Sequence, residues 1–164
     1  MQSTRGKKTC LICERIRLIK KNKNPHFVAE LETGYVVLAD QQLYRGYTIF
    51  LSKQHKTELH EMGRETRQRF LKEMSQVAES VYRAFKPQKL NYELLGNRDP
   101  HLHWHLIPRY EDDKEPRKPI WVAMNSMNGT GSYIPAEKEL AALKHGLLSQ
   151  LNKEASIIGT YEGD

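Results

Sequence analysis

The sequence lacks any long uninterrupted run of apolar residues. No stretch approaches the roughly 20 apolar residues that a membrane-spanning helix needs. The opening segment MQSTRGKKTC is basic, but the apolar stretch that would complete a signal peptide does not follow it. We therefore expect a cytoplasmic protein with no membrane partner.

Cysteine is also scarce, and its placement is informative. The only two cysteines, Cys10 and Cys13, form a C-x-x-C pair. In a reducing compartment this spacing indicates a metal or redox pair rather than a structural disulfide. A tetrahedral zinc ion would need two further ligands. The candidates by residue type are His26, His55, His60 and one of the three histidines at positions 101–105. A pair of buried thiols without a metal is the alternative.

The sequence also shows no internal repeats and no sign of a second domain. A chain of 164 residues without them is predicted to form one domain with a sizeable core. We expect residues 1–9 to be a flexible basic tail, 10–122 the core and 134–153 a C-terminal helix. The net charge of +6 suits anionic ligands such as nucleotide phosphates or nucleic acid, although a cationic surface that only aids solubility explains it equally well.

What the sequence does have is a cluster of histidines. Three of its seven histidines, His101, His103 and His105, occupy alternate positions in the segment HLHWHLIPRY. This two-residue period predicts a half-buried β-strand that ends near Pro108, with the three imidazoles on one face. The other face carries the residues expected in the core, which are Leu102, Trp104 and Leu106.

The spacing of the three histidines limits their chemistry. Adjacent imidazoles on a strand are separated by about 6.6 Å at Cα and the outer two by about 13 Å, so one ion cannot contact all three unless the strand bends. A row of imidazoles suits an extended anion instead, with one ring attacking and the others donating hydrogen bonds. A polar surface strand that happens to carry histidine is the alternative.

Other segments predict a mixture of strands and helices. Residues 63–86 carry apolar side chains at helical spacing and end before Pro87, which predicts a long amphipathic helix. A short helix or turn is expected before Pro25, and the C-terminal helix is expected to carry Pro135 in its first turn. Strands are expected in the segments HFVAELE, GYVVLAD, YTIFLS, KLNYELL and IWV.

The strand in KLNYELL is expected to pair with the histidine strand as an antiparallel hairpin across the turn-rich segment GNRDP. If odd-numbered residues lie opposite odd-numbered residues, Asn91 and Glu93 share the histidine face. A shift of one residue would present Tyr92 and Leu94 instead, because successive side chains point to opposite faces of a sheet.

Taken together, these motifs resemble those of the histidine triad (HIT) family of nucleotide hydrolases and transferases. HLHWHLI matches the family motif of three histidines alternating with hydrophobic residues. The order of the C-x-x-C pair, a glycine-entered strand, SKQH, a long helix, NYELLGN and the triad also follows the family over residues 10–122. The resemblance implies an α+β, HIT-like fold in which a mainly antiparallel sheet of about five strands is flanked by a long helix and a C-terminal helix. It also implies a homodimer.

The resemblance further implies chemistry at the α-phosphate of a nucleotide. In the family the middle histidine, here His103, attacks that phosphorus and forms a nucleotidyl-histidine intermediate. The third histidine, His105, would hydrogen-bond the phosphate oxygens. The residues themselves agree with this, because a neutral imidazole attacks without first losing a proton, and a flanking backbone carbonyl can hold its far nitrogen as a donor. The sequence has no Walker-type glycine loop, and this mechanism needs none.

In zinc-containing relatives, the two thiolates are joined by the histidine of the K-x-H segment and the first triad histidine. The matching positions are Cys10, Cys13, His55 and His101. The resemblance therefore implies a structural zinc ion that ties the N-terminal segment to the catalytic strand. Such an ion does not activate water, because four protein ligands leave no open position.

The sequence departs from the family pattern at two places. Tyr47 stands where many relatives have histidine, and Gly96-Asn97-Arg98-Asp99 replaces the usual Gly-Gln-Ser/Thr run before the triad. Asn91 lies near the position of a family residue that contacts substrate, and Asn97 is a second candidate for such a contact. Each asparagine is predicted either to bind substrate or simply to cap a turn.

The leading hypothesis is a nucleotidyl hydrolase that cleaves dinucleoside polyphosphates, such as diadenosine tetraphosphate, at the α-phosphate. A nucleoside phosphoramidate hydrolase or a nucleotidyltransferase would use the same intermediate. The alternative of another class is a zinc-stabilised module that binds nucleotides without turnover. Nucleic acid is a less favoured partner that the sequence does not exclude.

Overall fold

A computed structural model describes residues 10–126 and 132–160, apart from the side chains of residues 124–126. The predicted basic tail at residues 1–9 lies outside the described residues. The elements in chain order are α1 (Leu11–Lys20), β1 (Phe27–Glu30), β2 (Gly34–Leu38), β3 (Thr48–Ser52), a 3₁₀ turn (Leu59–Glu61), α2 (Arg64–Phe85), β4 (Lys89–Glu93), β5 (His103–Arg109), α3 (Ile120–Ser126) and α4 (Glu137–Glu154).

The five strands form one antiparallel sheet in the order β1-β2-β3-β5-β4. Together with the helices, this confirms the predicted α+β architecture. The long helix α2 matches its predicted span closely: it ends at Phe85, and Lys86 caps it with a left-handed backbone just before Pro87. None of the described helices is both long enough and apolar enough to cross a membrane.

One face of the sheet packs against the two long helices, α2 and α4. The Phe50 ring of β3 stacks on Phe70 of α2 with 5.1 Å between ring centroids. Leu147 and Leu151 of α4 are fully buried in the same cluster, as is Leu106 of β5. The even-numbered residues of β5 therefore face the core, as the alternation predicted.

The other face of the sheet is covered by the short helix α1. Its three isoleucines, at positions 12, 16 and 19, recur at helical spacing and are buried against Val37 of β2 and Leu51 of β3. Each such side chain contributes about 1.5–3 kcal/mol by leaving water. The histidines of β5 lie on the same side of the sheet as α1, because His103 is paired with Leu51, which packs against that helix.

Two local predictions were wrong in detail. IWV is not a strand but the start of α3: Ile120 and Ala123 are buried one helical turn apart, and Trp121 and Val122 are exposed. Three residues are too few to reveal a period, and Pro119 suits a helix N-terminus. The C-terminal helix begins at Glu137, after Pro135 rather than around it.

The histidine strand also differs from its prediction at both ends. His101 lies in a bend before β5, which begins at His103, and the strand continues through Pro108 to Arg109. Pairing with β3 covers only residues 103–106 of β5, so Pro108 has a strand on one side only. A strand segment that is free on one side tolerates a residue without an amide hydrogen.

The two edges of the sheet differ. β1 is covered by the chain after α4, where the Ile158 amide donates to the Glu30 carbonyl at 2.8 Å and the Glu30 amide to the Gly159 carbonyl at 2.7 Å. No strand in the described part of the chain pairs with the outer edge of β4. β4 therefore leaves one row of backbone groups available.

Candidate functional site

His103 and His105 lie on β5, between β3 and β4, and His101 lies in the bend just before this strand. His105 is paired with Glu93 of β4, and Asn91 is paired with Ile107. Odd-numbered residues therefore lie opposite odd-numbered residues, which confirms the register that places Asn91 and Glu93 on the histidine face. This face is largely covered: His101 is 1% exposed and His103 is 7% exposed.

His103 is held by the backbone just before it. Its Nδ1 lies 2.5 Å from the carbonyl oxygen of His101, and since a carbonyl only accepts, the Nδ1–H donates. In a neutral imidazole the other nitrogen, Nε2, then carries the lone pair. Among the described residues no group contacts Nε2 by a hydrogen bond. The arrangement presents a nucleophilic nitrogen in a fixed direction.

His105 contacts a residue from the beginning of β3. The Tyr47 hydroxyl lies 2.6 Å from its Nδ1. Burial, together with the neighbouring His103, lowers the pKa of His105 to about 4, against a small opposing effect of Asp99. Burial raises the pKa of Tyr47, and Glu93 adds to that shift. Both groups are therefore neutral near pH 7.

Trp121 of α3 borders the same histidine from the opposite side. Its ring meets His105 edge-on with 6.2 Å between centroids, and its indole N–H donates to the Glu93 carboxylate. This contact was not predictable from the sequence, because the segment IWV was expected to be a strand.

Two cavities meet at His103 and His105. The first, of about 300 Å³, lies under α1 and is mainly apolar, with Leu11, Ile12, Val37, Ile49 and Leu51 among its lining residues. The second, of about 380 Å³, is lined by residues 95–99 of the β4–β5 turn and by Trp121. Asp99 borders both cavities. An elongated ligand that fills both must pass the two imidazoles.

The apolar cavity has one polar end, which sequence reasoning missed. Asp40 follows β2 and receives both terminal nitrogens of Arg15, and His26 Nε2 lies 3.6 Å from its carboxylate. A carboxylate directly after a fully buried strand was the available signal. It offers an acceptor for hydroxyl groups at the mouth of an apolar pocket.

The two asparagines named from the sequence lie in different places. Asn97 is exposed and lines the second cavity beside His103 and His105. The Asn91 side chain instead accepts a hydrogen bond from Arg109 at 3.3 Å and borders a cavity that neither histidine lines.

The predicted metal ligands converge. The ligand atoms of Cys10, Cys13, His55 and His101 all lie within 4.8 Å of one another. His101 Nδ1 is 3.5 Å from each sulfur and 3.2 Å from His55 Nδ1, which is itself 3.2 Å from the Cys13 sulfur. Of the other candidates, His60 lies in the exposed 3₁₀ turn and His26 beside Asp40.

These separations fit one tetrahedral ion. Zinc with its usual bond lengths holds two nitrogen ligands about 3.3 Å apart and a nitrogen and a sulfur about 3.6 Å apart. The far nitrogen of His101, Nε2, donates to the Ser52 carbonyl at 2.8 Å, which leaves Nδ1 unprotonated for a metal. The cluster can therefore hold a metal ion, and all four positions come from the protein.

Cys10 also begins helix α1. Its sulfur accepts a hydrogen bond from the Cys13 amide at 3.4 Å, as an N-cap does. Burial, together with the nearby Cys10 sulfur, raises the pKa of the Cys13 thiol. A bound cation favours the thiolate and opposes that shift.

Comparison with known proteins agrees with this geometry. The model of the HIT domain matches residues 20–112, which is more than half of the chain. A histidine triad protein from Marinobacter aquaeolei VT8 is 27% identical, with a TM-score of 0.68 over 79% of this chain and 90% of that chain. A Zn-bound histidine triad family protein from Mycobacterium smegmatis is 19% identical, with a TM-score of 0.58 over 90% of this chain and 99% of that chain. No curated protein is significantly similar in sequence.

The α+β fold, the triad on β5 and in the bend before it, and a family match that contains all five strands define the class of protein. The chain belongs to the histidine triad (HIT) family of nucleotide-binding proteins, whose members are generally hydrolases or transferases.

Proposed function

We propose that this protein is a nucleotidyl hydrolase that cleaves dinucleoside polyphosphates at the α-phosphate, with His103 as the nucleophile. The observation that carries the proposal is the hydrogen bond from His103 Nδ1 to the His101 carbonyl. This bond leaves Nε2 as the attacking atom and fixes its direction, so the ring does not have to reorganise during the reaction.

The two cavities support a substrate with a bulky group on each side of the attacked phosphorus. The apolar cavity suits a nucleoside, with its base against the apolar side chains and its ribose hydroxyls donating to Asp40. The second cavity offers Asn97, Arg98 and Trp121 to a polyphosphate and a second base. Arg98 supplies a charge that matches an anionic leaving group.

The reaction proceeds in two displacements. The lone pair of His103 Nε2 forms a bond to the α-phosphorus, and the bond from that phosphorus to the bridging oxygen breaks, so the rest of the polyphosphate leaves with its electron pair. Water then attacks the same phosphorus, the P–N bond breaks, and the proton of water passes to solvent. A donor on His105 aimed at the phosphoryl oxygens stabilises charge in both steps.

Zinc fits the four-residue cluster, and we propose that it has a structural role. Cys10, Cys13, His55 and His101 would hold the ion and tie α1 to the segment that follows β3 and to the segment that precedes β5. Since no coordination position is left open, the ion supplies no activated water. Unbridged cysteines of this kind suit a cytoplasmic location.

A homodimer is the assembly we propose. The outer edge of β4 has no partner strand in the described part of the chain, Tyr92 of β4 is exposed, and so is Leu95 just after the strand. A free strand edge, with the exposed Tyr92 on that strand, favours pairing with a second copy, which continues the sheet.

The test uses a panel of dinucleoside polyphosphates and nucleotide-amine conjugates. The protein is mixed with each compound, and the reaction is stopped with a denaturant rather than with acid, because acid breaks the P–N bond of the adduct. Peptides are then examined by mass spectrometry for a nucleotidyl group on His103. We expect turnover of the dinucleoside polyphosphates and a transient adduct. His103→Ala should lower kcat at least about a thousandfold, as loss of a nucleophile does in other enzymes.

His60→Ala is the matched control, because His60 is an exposed histidine outside both cavities. It should leave kcat unchanged. Turnover that survives His103→Ala would exclude the mechanism. Faster cleavage of the amine conjugates would favour a phosphoramidate hydrolase, and binding without adduct or product would favour a non-catalytic module.

A further inference from the structure

We propose that Tyr47 is a positioning residue that holds His105 in the tautomer with its hydrogen on Nε2, so that this nitrogen donates to the phosphate. The inference rests on the proposed function for its catalytic consequence. The tautomer itself can be measured without any substrate.

The contact is short and specific. The Tyr47 hydroxyl is 2.6 Å from His105 Nδ1, and the two rings lie 5.9 Å apart at 46° to each other. The contact joins the beginning of β3 to its neighbour β5, where Thr48 and Leu106 are paired. The two residues are 58 positions apart in the chain, so only the folded sheet brings them together.

The tyrosine itself is held firmly in place. Its backbone carbonyl accepts from the Ala39 amide and from the Gln42 side chain, both at 2.9 Å. The preceding Gly46 has φ of +86°, and a Cβ there would lie 2.2 Å from the Phe85 ring, so this turn needs glycine. The turn therefore fixes the backbone that carries the phenol, and the contact with His105 Nδ1 orients the phenol itself.

The direction of the hydrogen bond follows from the protons available. Burial raises the pKa of Tyr47, so the phenol keeps its proton near neutral pH. In the described part of the chain, His105 Nδ1 is the one acceptor within reach of that proton. Burial also lowers the pKa of His105, so its ring is neutral. A neutral ring that accepts at Nδ1 carries its single hydrogen on Nε2.

This tautomer is the one that the proposed reaction needs. Phosphoryl oxygens only accept hydrogen bonds. An Nε2 without a hydrogen would therefore repel them, because both atoms would present lone pairs. His105 borders both cavities, as does His103, whose Nε2 is the attacking atom. Glu93 and Asp99 are the nearby carboxylates, and neither makes a hydrogen bond to His105 in the described structure. The Tyr47 phenol is therefore the group that makes Nε2 the donor nitrogen of the His105 ring.

The experiment measures the His105 tautomer by ¹⁵N NMR of histidine-labelled protein, with the signal assigned by comparison with His105→Gln. In the wild type we expect hydrogen on Nε2 and none on Nδ1. Tyr47→Phe should convert this to a mixture of both tautomers. It should also lower kcat about 10- to 100-fold with little change in KM, because a preorganised donor to a developing charge is weakened.

Tyr110→Phe is the matched control. It removes another half-buried tyrosine hydroxyl, which donates to the Arg45 carbonyl at 2.8 Å away from both cavities, and it should change neither the tautomer nor kcat. Hydrogen on Nδ1 of His105 in the wild type would overturn the inference, as would a Tyr47→Phe tautomer identical to that of the wild type. If the wild type turns over no compound in the panel, the proposed function fails, while the spectrum still decides the role of Tyr47.

Discussion

Asn97 and Asn91 differ in the surroundings of their side-chain amides. The Asn97 amide is free to meet a ligand in the cavity beside the histidines, whereas the Asn91 oxygen accepts from Arg109. Arg109 is itself buried and held by Asp113 and by the carbonyls of residues 115 and 118. The pair therefore provides a matched test of which asparagine contacts substrate.

We expect Asn97→Ala to raise KM about 2- to 10-fold, the effect of losing one ordinary hydrogen bond. Asn91→Ala should leave KM within about twofold, since a residue that touches no substrate contributes no binding energy to lose. Steady-state kinetics on a dinucleoside polyphosphate measures both. A larger KM effect for Asn91→Ala than for Asn97→Ala would show that Asn91 is the substrate ligand.

At the level of single residues, the sequence predicted what lies close together in the chain. The alternating histidines and the Cys10–Cys13 pair were recognisable because each motif occupies a few consecutive positions. The contact between Tyr47 and His105 was not predictable, since it depends on the register between β3 and β5. The orientation of His103 by a backbone carbonyl was anticipated from chemistry, and the geometry agrees with it.

Among the elements, α1 is the one that the proposed zinc ion would hold most directly. It has only 10 residues, and isolated helices of this length are marginal in water. Its first residues contribute the N-cap and two of the four ligand atoms. Loss of the metal should therefore loosen the covering of the histidine face.

Cys10→Ser tests this point cleanly, because serine is itself a good N-cap but a poor zinc ligand. We expect the variant to lose its zinc and about 3 kcal/mol of unfolding free energy, or about 6–12 °C in Tm. Metal analysis and thermal unfolding measure the two effects. Chelator treatment should bring the wild type to the same Tm and leave the variant unchanged. A metal-free wild type of undiminished Tm would contradict a structural role.

Element types were predictable where the periodic segment was long. The 22 residues of α2 present several turns of apolar spacing, and the alternating strands present several pairs. The segment IWV offered one apolar cluster with no period, and it was assigned to the wrong element. His101 was placed on the strand by alternation, but the bend before His103 turns it toward the metal cluster instead.

For the whole molecule, the free edge of β4 predicts self-association. Light scattering after size exclusion should give twice the mass of one chain. Tyr92→Lys places a charge on the exposed edge strand and should shift the protein toward monomer, because charged residues there oppose strand pairing.

The control is Ile158→Lys at the opposite edge, where the chain already covers β1. Ile158 is 61% exposed and Tyr92 is 49% exposed, so both lysines would replace accessible apolar side chains. Ile158→Lys should leave the mass unchanged. A wild type that is monomeric at all concentrations, or a Tyr92→Lys dimer as stable as the wild type, would contradict pairing through β4.

The hydrogen bond that orients His103 comes from the main chain of His101, whereas the ligand atom offered to the metal comes from the side chain of the same residue. Every amino acid has a carbonyl, so genetic change at position 101 can delete the ligand without deleting the acceptor. A chain of this fold can therefore lack the proposed metal site and still keep an aligned nucleophile, provided that the bend before β5 is preserved.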